Sequence, residues 1–192
     1  LRELVAIPPA PAVHVRRLSY SAISLFDRCS YRYYAERVAG MRPVPWAPAG
    51  GDGVRGGLQP TELGDAVHRL LELVDLAAPA PPVREELEDL VRRWYPAVPA
   101  ADVDRIEAYV RCYTGSDLAR RIASLPGALP ERPFAFEIDG VLVRGRLDVL
   151  WEGEGRALVL DYKTNVLDGR DPVAIVEEEY RTQQEVYAVA CP

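Results

Sequence analysis

The stretch that most constrains this chain runs from Arg132 to Lys163. Within it, "RPFAFEID", "VLVRGRLDVLW" and "RALVLDYK" are rich in valine, leucine and phenylalanine and partly alternate. That pattern predicts three strands. Asp139-Gly140, between the first two, is a pair that accepts the positive backbone angles of a two-residue hairpin. The segment Glu152-Gly153-Glu154-Gly155 joins the second to the third, with its turn expected near Gly153.

Helical spacing lies on either side. "TELGDAVHRLLELVDLA" (61–77) places Val67, Leu70, Leu71 and Val74 on one face, with Thr61 as its expected cap. Helices are expected around 83–95 and 101–123, with "PAVPA" between them. "LSYSAISLFDRCSYRYYAERVAG" (18–40) also reads as a helix, capped by Ser19 or Ser21, striped by Ile23, Phe26, Tyr34 and Val38, and stopped at Gly40. After a loop at 165–172, residues 173–190 return to helical spacing. Helices, then strands, then a helix predict an α+β chain: a small central mixed or antiparallel sheet flanked by helices. The expected organisation is one domain over 1–192, with an extended lead-in at 1–17, a mainly helical part at 18–125, and sheet plus C-terminal helix at 126–192. Residues 41–60 are rich in proline and glycine and are expected to form a loop.

Composition limits the function classes. With 192 residues, 48% hydrophobic and 27% charged, the chain has the make-up of an ordinary soluble globular protein. It contains no run of about 20 apolar residues, so no membrane span is expected. Its start does not read as a signal peptide. Met41 is the only methionine, so Leu1 is not a translational start and a fragment of a longer chain is expected. Cys29, Cys112 and Cys191 are scattered and odd in number, which suits reduced thiols in a cytoplasm. The net charge of −6 argues against a dedicated nucleic-acid-binding module, although an acidic cation-binding cluster would carry the same sign.

Lys163 is the only lysine among 23 basic residues. Arginine is a planar fork that stays protonated, whereas lysine is a compact point charge on a flexible stem. On a strand, Asp161 and Lys163 would share a face. Folding the second hairpin sets Asp148 opposite residues 158–160 and so close to Asp161. Two carboxylates with open positions suit a hard cation such as Mg²⁺, with Lys163 beside it to orient a water or offset charge on phosphorus. The alternative is a solvated Asp–Lys pair, with Asp148 held by Arg146 or Arg144. The apolar runs around both aspartates favour the cation site, since a buried carboxylate needs a partner. His68 stands at the edge of the apolar stripe of helix 61–77. It is either a boundary histidine making a local hydrogen bond or a nitrogen ligand to the same ion. Tyr180, Gln183 and Tyr187 share one side of the last helix, where Gln183 is odd for a core and can bridge a phosphate or a carboxylate.

Taken in order, "LSYSAISLFDRCSYRYY", "GDAVHRLLE", "GRLDVL", "DYKT" and "YRTQQEVYA" resemble the motifs of RecB-like nucleases of the PD-(D/E)XK superfamily. The likeness is to the C-terminal nuclease domains of bacterial UvrD/RecB/AddA/AdnAB-type helicase–nucleases and spans residues 18–190. It implies a restriction-endonuclease-like fold. It also implies His68, Asp148, Asp161 and the Tyr162 backbone carbonyl as ligands of Mg²⁺ or Mn²⁺, with Asp148, Asp161 and Lys163 as the catalytic set. Gln183, Tyr187, Tyr180 and Arg146 would position DNA or the ligands, and Glu131 stands where the family often has an acid. The implied reaction is hydrolysis of DNA phosphodiesters, mainly on single-stranded ends delivered by a helicase motor in the same chain or a partner subunit, in break repair and recombination. A catalytically weak or inactive scaffold that binds DNA or a partner is the alternative. There is no GxxxxGK[ST] loop, so the motor is not in this segment. Some relatives carry an iron–sulfur cluster; Cys29 matches its first ligand but the downstream trio is absent, so no cluster is expected. Position 184, often leucine in the family, is Gln184. The acidic balance leaves DNA affinity to arginines such as Arg28, Arg32, Arg144 and Arg146, or to the rest of the protein.

Overall fold

The computed structural model describes residues 15–42 and 56–191. Most of the expected lead-in, with His14, and most of the loop at 41–60 lie outside the described residues. The chain falls into two compact units: unit 1 is Leu1–Pro45 with Ala135–Arg144, and unit 2 is Trp46–Phe134 with Gly145–Pro192.

In unit 1, β1 (Arg17–Ser19) pairs in parallel with part of β3 (Val141–Gly153), Leu18 opposite Val143. The helix expected from residue 18 therefore starts later. The Ser19 side chain accepts from the Ala22 amide at 3.2 Å and opens α1 (Tyr20–Arg28). The long helix expected to Gly40 is interrupted. Cys29 takes an extended conformation (φ −163°), after which α2 (Ser30–Tyr33) runs into a π-helical turn at Tyr34–Val38. Gly40, at φ +67°, ends it as expected.

In unit 2, α3 (Pro60–Glu72) starts two residues earlier than Thr61 predicts. Gln59 is its cap residue, Pro60 supplies a fixed first turn, and the Gln59 amide donates to the Glu62 carboxylate at 2.8 Å. Then come α4 (Arg84–Trp94), α5 (Ala100–Thr114) and α6 (Asp117–Ala123). The sequence predicts the last two as one helix, but Gly115 ends α5 and Ser116 caps α6 through the Ala119 amide. Leu63, Val67, Leu70 and Leu71 of α3 bury against Leu87 and Val91 of α4 and Val103, Ile106 and Val110 of α5. Each such aliphatic side chain contributes about 1.5–3 kcal/mol when fully buried. A smaller cluster joins Leu76, Ile122 and Val149.

Among the described residues the sheet has four strands and is mixed. β3 lies between β1 and β2 (Leu129–Ile138), and β4 (Arg156–Leu160) pairs with β3 in antiparallel register. Asp139 and Gly140 (φ 50° and 75°), and Glu154 and Gly155 (φ 52° and 71°), are both left-handed pairs, as two-residue hairpins require. The second turn therefore sits one residue past Gly153, which pairs with Arg156. The expected single helix at 173–190 is two: α7 (Pro172–Glu179) and α8 (Arg181–Ala190), separated at Tyr180 (φ −122°). No helix among the described residues is long and apolar enough to cross a membrane.

Candidate active site

The candidate metal-binding and catalytic residues all lie in unit 2, while Arg28, Arg32 and Arg144, named for DNA affinity, lie in unit 1. Strand register does the first part of the assembly. Val149 pairs with Leu160, so the next step along each strand leaves Asp148 level with Asp161 rather than with 158–160. The Asp148 carboxylate accepts the Tyr162 backbone N–H at 2.7 Å, which locks the end of β4 onto β3. Arg146, the alternative partner for Asp148, instead pairs with Glu131 at 2.8 Å.

Helix α3 brings the imidazole. His68 Nε2 lies 3.0 Å from the Tyr162 carbonyl oxygen, and Nδ1 lies 3.4 Å from Asp148 Oδ2. With an oxygen acceptor at each ring nitrogen, the imidazole is held above its ordinary pKa, chiefly by Asp148. Gly64 eases this approach. It lies one turn before His68 on the same face, and a Cβ there would stand 3.2 Å from Thr164 Oγ1. The Tyr109 hydroxyl pins the same segment by donating to the Thr164 carbonyl at 3.2 Å.

Tyr162 anchors the whole segment. Its ring packs against both apolar clusters, 4.9 Å from Tyr113 and 5.8 Å from His68. Its hydroxyl, like that of Tyr113, is buried with no hydrogen-bond partner among the described residues. Burial pushes the Tyr162 phenol well above its ordinary pKa. A side chain fixed in this way fixes its own carbonyl beneath His68.

Asp161 and Lys163 form an ion pair, the contact that the alternative reading of these two residues expects. β4 ends at Leu160, so strand alternation does not align them. Other groups do. Gln183 Nε2 donates to Asp161 Oδ1 at 2.7 Å and to the Tyr187 hydroxyl at 2.6 Å, and Tyr187 donates to the same Oδ1 at 3.0 Å. Gln183 is buried, which explains a glutamine at that helical position. Burial, and then the Asp161 charge, raise the Tyr187 pKa far above normal, so it is a donor to the carboxylate. Lys163 Nζ stands 4.5 Å from the Tyr180 ring centre, and the Tyr180 hydroxyl donates to Asn165 at 2.6 Å. The ammonium is seated between a carboxylate and an aromatic face, which suits a compact head.

Two openings border these groups. A cleft of about 660 Å³ is lined by His68, Asp148, Glu131, Arg146, Asp65 and Arg69. A cavity of about 550 Å³ is bordered by Asp161, Lys163, Tyr180, Gln183 and Tyr187. Glu131 lines the first with a left-handed backbone (φ 51°), a conformation that costs a non-glycine residue of order 1–3 kcal/mol and concentrates at functional sites. Sequence reasoning missed Asp102. It is buried and accepts the Leu58 amide at 2.6 Å and Arg105 at 3.0 Å, holding the entry to α3 in place. Its only sequence signal is an acid in the first turn of a helix.

The donors are an imidazole, carboxylates and a carbonyl. Neighbouring ligands of a small octahedral ion, at bonds of about 2.1 Å, stand roughly 3 Å apart. The spacing from His68 Nε2 to the Tyr162 carbonyl, 3.0 Å, equals that value, whereas the 3.4 Å contact with Asp148 is made by the other ring nitrogen, Nδ1, and is a contact within the protein rather than an edge of the same coordination shell. Among the described residues no three His, Cys, Asp or Glu side chains by themselves make a metal-holding group, and Asp161 is engaged by Lys163, Gln183 and Tyr187.

Comparison with known proteins places the chain in a class. A profile of the PD-(D/E)XK nuclease superfamily matches residues 17–191, and the chain belongs to that superfamily. It is also similar to the A subunit of the ATP-dependent helicase/nuclease from Bacillus cereus strains AH187 and Q1, at 28% identity over 156 residues covering 70% of this chain and 12% of each relative. The protein of the same name from Bacillus thuringiensis subsp. konkukian is 26% identical over the same length. The chain thus spans only about an eighth of these relatives (12%).

Proposed function

We propose that this chain is a divalent-metal-dependent DNA nuclease domain, a single functional segment of a larger helicase–nuclease that acts in the cytoplasm on breaks in DNA. Its substrate is mainly single-stranded DNA, delivered by a motor in the same chain or a partner subunit. The observation that carries this reading is the convergence of His68, Asp148 and the Tyr162 carbonyl, with Asp161 and Lys163 two residues apart at the end of the neighbouring strand.

His68, Asp148, Asp161 and the Tyr162 carbonyl would hold the ion, Mg²⁺ or Mn²⁺, which when bound supplies Lewis acidity toward a phosphodiester oxygen and the attacking water. The chain's own groups do the rest. Lys163 places a positive charge where negative charge builds as water adds to phosphorus, and its ammonium can hold that water by a hydrogen bond. Gln183 and Tyr187 fix the rotamer of Asp161 through its Oδ1. Arg146, set by Glu131 on the wall of the cleft, would meet a phosphate that enters it.

The alternative, a nuclease-like scaffold without activity, draws on the internal donors that already occupy Asp161. One experiment separates the two. Mn²⁺ or Mg²⁺ should raise the melting temperature of the wild type and support cleavage of labelled single-stranded DNA, and Asp161→Ala should abolish both. A wild type whose melting temperature and cleavage ignore both metals is the scaffold.

A further inference from the structure

A protein acting on a polyanion while carrying a net charge of −6 must concentrate positive charge somewhere. The catalytic cleft of unit 2 does not do so. Arg69 there is paired with Asp65 at 3.0 Å, Arg146 with Glu131, and Lys163 with Asp161. Elsewhere in unit 2, Arg84, Arg111 and Arg170 likewise sit against glutamates, while Arg93, Arg121 and Arg132 are exposed, with no guanidinium partner among the described residues, and line neither opening of the site.

Unit 1 is different. A pocket of about 360 Å³ is lined by Arg16, Arg17, Arg37 and Arg144, together with Ser19 and Tyr33. All four arginines are exposed, and none has a hydrogen-bond or ion-pair partner for its guanidinium among the described residues. Among the described residues no carboxylate lines the pocket. The fold gathers them from three elements. Arg17 lies on β1 with Arg16 just before it, Arg144 faces Ser19 across the parallel β1–β3 pair, and Arg37 comes from the π-helical turn. The π turn displaces the residues after Tyr34 from ordinary helical positions, which decides where Arg37 points. Three arginines expected from sequence to meet DNA are not part of this group: Arg146, which lines the cleft of unit 2, and two of unit 1. Arg32 is paired with Glu36 at 2.6 Å, and Arg28 is not among the lining residues.

We propose that Arg16, Arg17, Arg37 and Arg144 form a phosphate-binding pocket that grips the backbone of the nucleic-acid strand on which the chain acts. Four unpaired guanidiniums repel one another until an anion enters, and the guanidinium fork matches phosphate oxygens in bidentate fashion. Backbone phosphates present such anions at regular intervals without regard to sequence, so the pocket contributes affinity and register rather than base choice. The inference rests on the nuclease reading for its ligand, but its residues are separate from the proposed metal ligands.

The test is binding rather than cleavage. Fluorescence anisotropy of a labelled oligothymidylate, in EDTA and between about 50 and 200 mM salt, gives both affinity and its salt dependence. Arg37→Ser with Arg144→Ser should weaken binding and flatten the log–log salt slope by roughly 0.7 for each single-strand phosphate that these side chains neutralise. Arg156→Ser, at an exposed hairpin position outside the pocket, should leave the slope unchanged. Arg16→Ser with Arg17→Ser gives a second, independent pair at exposed positions. If the wild type binds the oligonucleotide and both pairs bind it with the wild-type affinity and slope, the pocket assignment is wrong while the nuclease reading stands. A wild type that neither binds the oligonucleotide nor cuts it with metal would sink the nuclease reading itself. If polyglutamate binds the wild type as tightly as the oligonucleotide and with the same dependence on these arginines, the pocket serves an acidic polypeptide and the proposal falls.

Discussion

Helix α3 in unit 2 and helix α1 in unit 1 carry similar apolar spacing and use it in opposite ways. α3 buries five residues, including Val67 and Leu70 at 1% exposure, because α4 and α5 return to cover its apolar face. α1 buries Ala22, while Phe26 stays 56% exposed and, further along, Tyr31 is 77% exposed. The polar groups of the two sites differ as well. The cleft of unit 2 seats Arg146 and Lys163 against carboxylates, and the pocket of unit 1 leaves its arginines open. Periodicity tells a helix which face to bury only where the chain supplies a second surface. An uncovered apolar or cationic face is available for something else.

The largest effect expected from this contrast is in the helical core. Leu70→Ala should cost about 2–5 kcal/mol of unfolding free energy, because the site is enclosed and cannot collapse. Urea denaturation measures it. A loss below about 1 kcal/mol would mean that unit 2 is packed no better than unit 1, and the comparison would dissolve.

Next comes the seated cation. Lys163→Arg keeps the charge but puts a planar fork where an ammonium lies against Asp161 and the Tyr180 ring. Single-strand cleavage with saturating Mg²⁺ should fall by about 10²–10³-fold, the scale of losing one group aimed at developing charge. Near-normal cleavage would show that position 163 needs only a positive charge, as the open arginines of unit 1 do.

Much of this arrangement was legible in the sequence, and its failures have physical causes. The α+β order and the two hairpins follow from local signals that the fold respects, Asp-Gly and Glu-Gly turns and a strong apolar stripe; Asp148, Asp161 and Lys163 stood out as charges embedded in apolar runs, and His68 joined them as a ligand only through the family resemblance. Most of what sequence reasoning did not reach depends on partners far along the chain. The β1 strand is three residues long and exists only because β3 pairs with it. The breaks at Cys29 and Tyr180 carry no strong local stop, whereas Gly115-Ser116 is a local stop and cap that the expected helix at 101–123 passed over. Asp161 and Lys163 meet through Gln183, Tyr187 and Tyr180, partners about twenty residues away, and not through the two-residue alternation that first suggested them. The arginine pocket was invisible for the same reason: its members come from three separate elements.

The smallest effect is expected at the surface of α1, and it sharpens the comparison most directly. Phe26 was placed on the buried stripe by its spacing from Ile23, yet it is 56% exposed and its ring meets Tyr33 edge-on at 5.4 Å. An edge-to-face pair of this kind is worth about 0.5–1.5 kcal/mol. Phe26→Ser should therefore cost no more than that in urea denaturation, well below Leu70→Ala, although phenylalanine is the larger side chain. The two helices then differ by what covers them and not by what they are made of. A loss at Phe26 matching that at Leu70 would show that α1 is covered in solution as fully as α3, and the rule that burial follows the returning surface would fail at its simplest case.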